Sequence, residues 1–382
     1  MTAPARPPAF GLQPSGADGA LTQADLDTLS HLLRAGMGAN SLRALRSDLD
    51  YLEAWSRACT GAALAWPPER DTILRFIAHH LWDPAQRRRA ADHGMPARVD
   101  AALRAGGHLR APGPHAPATV RRRLSSWRSL CKWRAAGDPF GDPVVRRTLA
   151  AAVRAADRPR QRKSERVVDG ALMGRLMEHL SPLCAPTPFA RRDLERDRLA
   201  ALRDRAMLAI AFASGGRRRS EISDLMVSAL EDQPPVPDAA GGADLPSLAL
   251  HLGRTKTTDA DEGAVAHVTG APVRFLRAWR AAARIAEGPV FRRIDRWGNV
   301  SGNGIGAQGL NAVLKARLAQ IGEDPARFSA HGLRAGYITE ALNRGLGVHE
   351  IMGQTQHRSV KTAMGYAAAQ DGRVGRAARL ME

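Results

Sequence analysis

The apolar residues of this chain recur at helical spacing through most of its length, and this periodicity limits the fold more than any other feature. One stripe consists of Leu42, Leu45, Leu49 and Leu52. Another consists of Val120, Leu124, Trp127 and Cys131. Ser41 and Thr119 stand just before these stripes, where a side-chain hydroxyl favours helix capping. The pattern predicts a mainly α-helical protein.

One stretch departs from helical spacing. Residues 247–252, "SLALHL", alternate apolar and other side chains, which predicts a half-buried strand. After the turn-like "TTDADEG", residues 264–268 can return as its antiparallel partner. The preceding 231–246, rich in Pro and Gly, predicts an insertion without regular structure, and 84–118 are predicted to be loop. A small antiparallel sheet is therefore expected in the second half.

Length and local composition predict two domains. A chain of 382 residues exceeds one ordinary hydrophobic core. Residues 1–20 are rich in Ala, Pro and Gly and are predicted to be a disordered tail. Residues 157–168 are charged and poor in apolar side chains, as linkers are. We therefore expect a helical domain at 21–156, a basic linker at 157–168 and a second domain at 169–382.

The charge indicates a polyanionic partner. There are 56 Lys and Arg against 38 Asp and Glu, for a net charge of +18. Such an excess favours nucleic acid or an anionic membrane, although a basic protein with a solvated arginine surface is the alternative. The longest apolar run, near "AMLAIAFAS", is too short to cross a bilayer. Nucleic acid is therefore the expected partner, with no membrane.

The remaining bulk features argue against metal and export. Cys59, Cys131 and Cys184 are far apart and lack zinc-ligand spacing, so free thiols in a reducing cytosol are expected. The N-terminal "MTAPARPPAF" lacks a signal-peptide pattern. A cytoplasmic protein without a metal site is predicted.

Two helices offer outward faces for DNA. On the helix near 42–56 the polar face carries Arg43 and Ser47. On the helix near 119–135 it carries Arg121, Arg122 and Lys132. Small residues among cations allow a close approach to phosphates, but ordinary amphipathic surface helices explain the same pattern.

The segment 331–366 gathers several of the groups that suit cutting a phosphodiester without a metal. Two arginines neutralise the charge that develops on phosphoryl oxygens, and a Lys or His protonates the leaving oxygen. A tyrosine is a suitable covalent nucleophile. His331 and Arg334 share a helix face, and Ser329 is placed to help cap that helix. His357 follows 26 residues after His331, and Tyr366 nine residues later.

This ordered set resembles the tyrosine recombinases, or phage integrases, and most closely the simple Cre-like subgroup. The family pattern is an Arg three residues before an acid, a hairpin Lys, H-x-x-R, then His or Trp, then Tyr. "GRRRSEI" supplies three competing arginines, of which Glu221 selects Arg218 by its spacing. "GRTKT" supplies Lys256, and "HGLR" supplies His331 and Arg334. His357 and Tyr366 complete the set.

The resemblance implies a two-domain DNA clamp: an N-terminal helical bundle and a mainly α catalytic domain with a small antiparallel β-sheet. It implies that Tyr366 attacks the scissile phosphate and that Lys256 is the general acid. Arg218, His331, Arg334 and His357 would hold phosphoryl oxygens, with His331 also a candidate proton acceptor and Glu221 orienting Arg218. Arg254 is a further candidate DNA contact. No metal, ATP or other cofactor is implied.

The resemblance also implies double-stranded DNA and further copies of this chain as partners. Four protomers would assemble on two inverted-repeat sites and exchange a C-terminal helix from 371–382, in a prokaryotic nucleoid or on a plasmid. Two other functions stay open: a DNA-relaxing enzyme like the type IB topoisomerases, and a non-catalytic DNA-binding protein.

Individual residues also have ordinary structural interpretations. Tyr337, three residues after Arg334, competes with Tyr366 as nucleophile, but its helical spacing with Leu333 and Ala341 favours packing. The sequence also departs from the family. "QTQH" replaces the usual Leu-Gly-His, and His357 stands where many Cre-like enzymes carry Trp.

Overall fold

The computed structural model describes residues 38–134, 136–156, 164–186, 191–252, 264–306, 308–356 and 359–360. The chain forms two compact units, Met1–Arg160 and Gln161–Glu382. Within the described ranges the structure is mainly α-helical with two small antiparallel sheets, as predicted. The predicted tail at 1–20 lies outside them.

The first unit is a helical bundle. Its helices are α1 (Ala39–Thr60), α2 (Arg70–His80), α3 (Pro84–Arg89), α4 (Ala97–Ala105), α5 (Pro117–Trp133) and α6 (Pro143–Ala155). The core is aromatic: the rings of Trp55 and Phe76 lie 5.0 Å apart, and Trp127 contacts both. Leu45 and Leu52 are buried, and the predicted α5 stripe is buried throughout, so the predicted apolar faces are confirmed.

The predicted helix starts were wrong. Gly38 is the N-cap of α1, and Ser41 lies inside the helix. Ala116 is the N-cap of α5, and Thr119 lies inside it, because Pro117 presets the backbone angle of the first helical turn. The predicted loop at 84–118 contains α3 and α4. Asp83 accepts a hydrogen bond from the Ala85 N–H, which caps α3.

A buried carboxylate joins α1 to α5. Asp48 is 1% exposed and accepts hydrogen bonds from Arg122 Nη1 at 2.5 Å and from Ser126 Oγ at 2.8 Å. Arg123 Nε lies 3.7 Å from its second oxygen. Arg122, predicted to contact DNA, therefore also holds the bundle together.

Two histidines are buried beside this core. The Phe76 carbonyl can only accept, so His80 Nδ1 carries a proton and donates to it at 2.6 Å. The other nitrogen of the neutral ring, Nε2, therefore accepts from the Tyr51 hydroxyl at 2.7 Å. Trp55 Nε1 donates to His79 Nδ1 at 3.2 Å. Burial lowers the pKa of His79 to about 4 and holds the pKa of His80 well below its usual value. Both rings are therefore neutral in the folded bundle at neutral pH.

The second unit carries helices α7 (Gly170–Leu183), α8 (Arg192–Ala213), α9 (Arg219–Ser223), α10 (Ala271–Ala282), α11 (Gly309–Gln320), α12 (His331–Asn343) and α13 (Val348–Thr355). Its strands are β1 (Leu230–Val236), β2 (Leu245–His251), β3 (Val265–Thr269), β4 (Arg292–Ile294) and β5 (Val300–Gly304). Short 3-10 turns occur at Pro139–Gly141 in the first unit, and at Val227–Ala229 and Pro325–Arg327 in the second.

The predicted antiparallel pairing of β2 with β3 is confirmed, with Leu248 opposite Val268. Two details were wrong. The expected irregular insertion contains β1, which pairs with β2 and bulges where Pro234 and Pro235 cannot donate to the ladder. Strand β2 is therefore the central strand. Its residues 247–250 are all buried, so both of its faces are covered rather than one.

Helix α8 is the centre of the second unit. Residues 206–211 are buried around its whole circumference, which is typical of a core helix. The predicted linker contributes to the same unit: Val168 is fully buried, and its N–H donates to the Gly332 carbonyl of α12 at 3.1 Å. A Cβ on Gly336 would overlap the Val168 backbone, so α12 lies directly on this segment. No helix within the described ranges is long and apolar enough to cross a membrane.

We predict that Asp48→Ala lowers the free energy of unfolding of the first unit by about 3 kcal/mol, because two arginines lose a buried partner. Hydrogen exchange of α1 and α5 peptides, measured by mass spectrometry on the full chain, reports this change. Asp50→Ala removes an exposed carboxylate from the same helix and should change stability by less than about 0.5 kcal/mol. Equal protection in both variants would contradict the role of Asp48.

We also predict that acid destabilises the first unit. The pKa values of His79 and His80 are lower in the folded state, so the unfolded chain binds more protons below its ordinary histidine pKa of about 6.5. The contribution of these two histidines to stability is then fully present above that pH, and it falls as the pH drops toward 4. Hydrogen exchange of α2 peptides, corrected for intrinsic rates, should show this loss. The loss should be smaller in His79→Gln, and an identical pH dependence would refute the assignment.

Candidate active site

A glycine turn brings distant parts of the second unit together. Ser214, Gly215 and Gly216 end α8, and both glycines have positive φ, +88° and +64°. A Cβ on Gly216 would overlap the Arg334 backbone, and one on Gly215 would lie 2.7 Å from the Gln354 carbonyl. Only glycine fits this left-handed, crowded turn. The start of α9 therefore lies against α12 and the end of α13.

The three competing arginines have different environments. Arg218 is exposed at the start of α9. Glu221 accepts from the Arg218 backbone N–H at 3.1 Å and lies 3.4 Å from its Nη1. Arg219 is also exposed and donates to Gln308 Oε1 at 2.9 Å. Arg217 is buried. The spacing that selected Arg218 thus picks an arginine that is accessible and held by an acid.

Arg217 is a residue that sequence reasoning missed. Its side chain donates to the Ser214 carbonyl at 3.0 Å, the Gln354 carbonyl at 2.9 Å and Gln356 Oε1 at 2.8 Å. Burial lowers the pKa of its guanidinium to about 10, so it stays charged at neutral pH. The only available signal was the run of three arginines, which does not tell a buried cation from a solvated one.

His331 and Arg334 lie on the first turn of α12. His331 is exposed and Arg334 half-buried, with its Nη2 donating to the Thr355 carbonyl at 2.6 Å. The expected cap was wrong: Ala330 is the N-cap, and the buried Ser329 Oγ has no hydrogen-bond partner among the described residues. Instead, the Ser329 N–H donates to Ser164 Oγ at 3.0 Å, which fixes the entry into α12.

Residues 354–356, at the end of α13, bind several other elements, and we call them the glutamine turn. Gln354 Nε2 donates to the Ala213 carbonyl at 2.7 Å and to the His267 carbonyl of β3 at 2.8 Å. Gln356 Nε2 donates to the Val265 carbonyl of β3 at 3.2 Å. The turn therefore links α8, α12 and β3, the strand of the predicted lysine hairpin.

Several predicted residues lie outside the described ranges. They are Arg254, Lys256, His357, Tyr366 and the predicted C-terminal helix at 371–382. The competing tyrosine is described: Tyr337 is half-buried, and its ring packs edge-on against Phe212 with centroids 5.8 Å apart. Burial raises the pKa of its phenol, which makes the phenolate harder to form. These features favour packing for Tyr337.

The predicted DNA contacts in the first unit lie at the surface. Arg43 and Ser47 are exposed on α1, and Arg121 and Lys132 are exposed on α5. Arg122 is exposed in part while it pairs with Asp48. The two helices thus present the polar faces expected from their sequence.

Known proteins resemble this chain in sequence and in fold. No family model matches the chain. An integrase/recombinase described as a xerD homolog, from Selenomonas ruminantium, is 27% identical over 200 residues. That match covers 50% of this chain and 55% of the relative, so the chain spans about half the length of the curated relative it matches.

Solved structures share the fold. The XerH site-specific recombinase in a post-cleavage complex with palindromic difH substrate has a TM-score of 0.53 at 11% identity, covering 94% of this chain and 85% of that one. Its pre-cleavage complex has a TM-score of 0.50 at 12% identity, covering 96% and 86%. Fold and sequence similarity together confirm the resemblance to the tyrosine recombinases.

We predict that Gly216→Ala destabilises the second unit by more than about 3 kcal/mol, because a positive φ and a backbone overlap add. Gly322→Ala is the matched control. It has φ +81° but open space around its Cβ, and it should cost only about 1 kcal/mol. Thermal unfolding of the full chain measures both. Similar costs would show that the contact with Arg334 is not tight.

Proposed function

We propose that this protein is a site-specific DNA recombinase, which cuts and rejoins duplex DNA through a 3′-phosphotyrosine intermediate. One observation supports it above all. The glycine turn before Arg218 lies against the backbone of Arg334, although the two arginines are far apart in the chain. Two guanidinium groups on converging backbones suit one phosphate, because each remains charged and matches phosphate geometry.

The described residues supply much of the phosphate site. Glu221 holds the Arg218 backbone and side chain, and the Thr355 carbonyl holds Arg334. His331 is exposed one turn before Arg334, at the positive end of α12. In the proposed site the side chains of Arg218, Arg334 and His331 surround the phosphoryl oxygens. Preorganised donors of this kind each contribute about a hundredfold in rate.

In the proposed reaction the Tyr366 oxygen attacks the phosphorus, and the bond from phosphorus to the 5′ oxygen breaks. The tyrosine proton passes to a base, for which His331 is the candidate. Lys256 donates a proton to the departing 5′ oxygen, and His357 holds a phosphoryl oxygen. The phosphodiester energy stays in the phosphotyrosine, so attack by a 5′ hydroxyl reverses the step without ATP.

Assembly and DNA contacts belong to the same proposal. Exposed Arg43, Ser47, Arg121 and Lys132 would contact phosphates, with Arg122 and Arg254 as further candidates. Four protomers would act on two inverted-repeat sites and exchange their C-terminal helices. The structural relatives described as bound to difH substrate support DNA as the partner of the shared fold.

A covalent adduct tests the proposal. Duplexes enriched from random-sequence DNA by the full chain are nicked in one strand, labelled, incubated with the protein and resolved under denaturing conditions. We expect an SDS-resistant protein–DNA band from the wild type and none from Tyr366→Phe. Tyr337→Phe is the matched control and should keep the band, because Tyr337 packs on Phe212.

The outcomes separate the alternatives. Absence of any adduct from a protein that binds these duplexes would favour a non-catalytic DNA-binding protein. An adduct together with relaxation of supercoiled plasmids that lack the enriched sequence would favour the topoisomerase-like activity. An adduct lost in Tyr337→Phe but kept in Tyr366→Phe would overturn the assignment of the nucleophile.

A further inference from the structure

Arg217 is a buried cation whose described hydrogen bonds go to neutral oxygens. It is 3% exposed, and its hydrogen bonds go to the carbonyls of Ser214 and Gln354 and to the side-chain oxygen of Gln356. Burying this charge is costly, and the charge of Glu221 offsets only part of that cost, because the pKa of the Arg217 guanidinium is still lowered. Its position therefore requires an explanation other than stability alone.

Its side-chain partner, Gln356, has an unusual backbone. Gln356 adopts the left-handed conformation, with φ 52° and ψ 46°, which glycine adopts most readily. The side chain of Gln356 is held at both ends, since Oε1 accepts from Arg217 Nη1 and Nε2 donates to the Val265 carbonyl. Arg217 thus donates hydrogen bonds to the glutamine turn at the Gln354 carbonyl and at the Gln356 side chain.

The middle of that turn holds Arg334. The Thr355 carbonyl, between the two residues that Arg217 binds, accepts from Arg334 Nη2 at 2.6 Å. A continuous path of hydrogen bonds and covalent bonds therefore runs from Arg217 through the glutamine turn to Arg334. Movement of the turn would move the carbonyl that orients this guanidinium.

We propose that Arg217 is a positioning residue, which acts through the glutamine turn to fix the Arg334 guanidinium for binding the scissile phosphate. The inference rests on the proposed function. It adds to that function a residue outside the catalytic set and assigns roles to Gln354 and Gln356. Small displacements of a charge-stabilising group lower reaction rates strongly without an equal loss of binding.

Single-turnover cleavage of the same nicked duplexes, with protein in excess, tests the inference. The rate constant at saturating protein reports on positioning, and the amplitude reports on the fraction of folded, active protein. We expect Arg217→Met to lower the rate constant at least about tenfold, while the half-saturating protein concentration stays within about twofold. Arg217→Lys, which keeps the charge and some donors, should recover part of the rate.

Arg219→Met is the matched control. It removes the neighbouring exposed arginine, whose bond goes to Gln308, and its rate constant should stay within about twofold of the wild type. Gln356→Ala tests the same path from the other side, and it should slow cleavage as Arg217→Met does. The double variant should be no slower than the slower single variant by more than about twofold, because the two residues act in series.

Each result decides between the claims. Wild-type rate constants in Arg217→Met would overturn the inference while leaving the proposed function intact. If Arg217→Met does not fold, Gln356→Ala decides, and cleavage at the wild-type rate by that variant would overturn the inference. The inference would also be overturned if the rate losses of the two single variants multiplied in the double variant. Absence of any adduct from the wild type would instead reject the proposed function.

Discussion

The contact between the glycine turn and α12 is the constraint on which the second unit depends. Gly215 and Gly216 end the core helix α8 in a left-handed turn that leaves no room for a side chain. Because the turn fits so closely, the backbone of Arg334 and the carbonyl of Gln354 pack directly on it. Arg217, Arg218 and Glu221 follow within five residues, so a steric requirement at two glycines determines where three side chains of the proposed site begin.

The three neighbouring arginines differ in burial and in electrostatic environment. Arg218 and Arg219 are exposed, whereas the buried guanidinium of Arg217 has a lowered pKa because water is excluded from it. Glu221 contacts the Arg218 side chain directly, while the described hydrogen bonds of Arg217 go to neutral oxygens and Glu221 acts on it only through its charge. An excess of positive charge that repels itself in the free protein is suited to a site that receives a phosphate. The arrangement links packing to the proposed chemistry.

Sequence patterns predicted the parts of the fold that depend on local periodicity. The apolar stripes of α1 and α5 and the pairing of β2 with β3 are confirmed. The two helix starts were mispredicted, because Gly38 precedes α1 and Pro117 begins α5 without a hydroxyl cap. Strand β1 shows no usable pattern, since its two prolines lie at a bulge on an edge strand that only the neighbouring β2 stabilises.

By itself, the sequence determined which residue types are available and in what order: an arginine three before an acid, and a histidine three before an arginine. Spacing along one helix is a local property, so it can be read without a structure. Only the tertiary structure decided that Arg217 is buried, that Tyr337 packs on Phe212, and that the glutamine turn holds Arg334. The first two depend on contacts between residues more than a hundred positions apart, and the third depends on a contact between Arg334 and Thr355 in two different helices. None of these contacts leaves a periodic signal in the sequence.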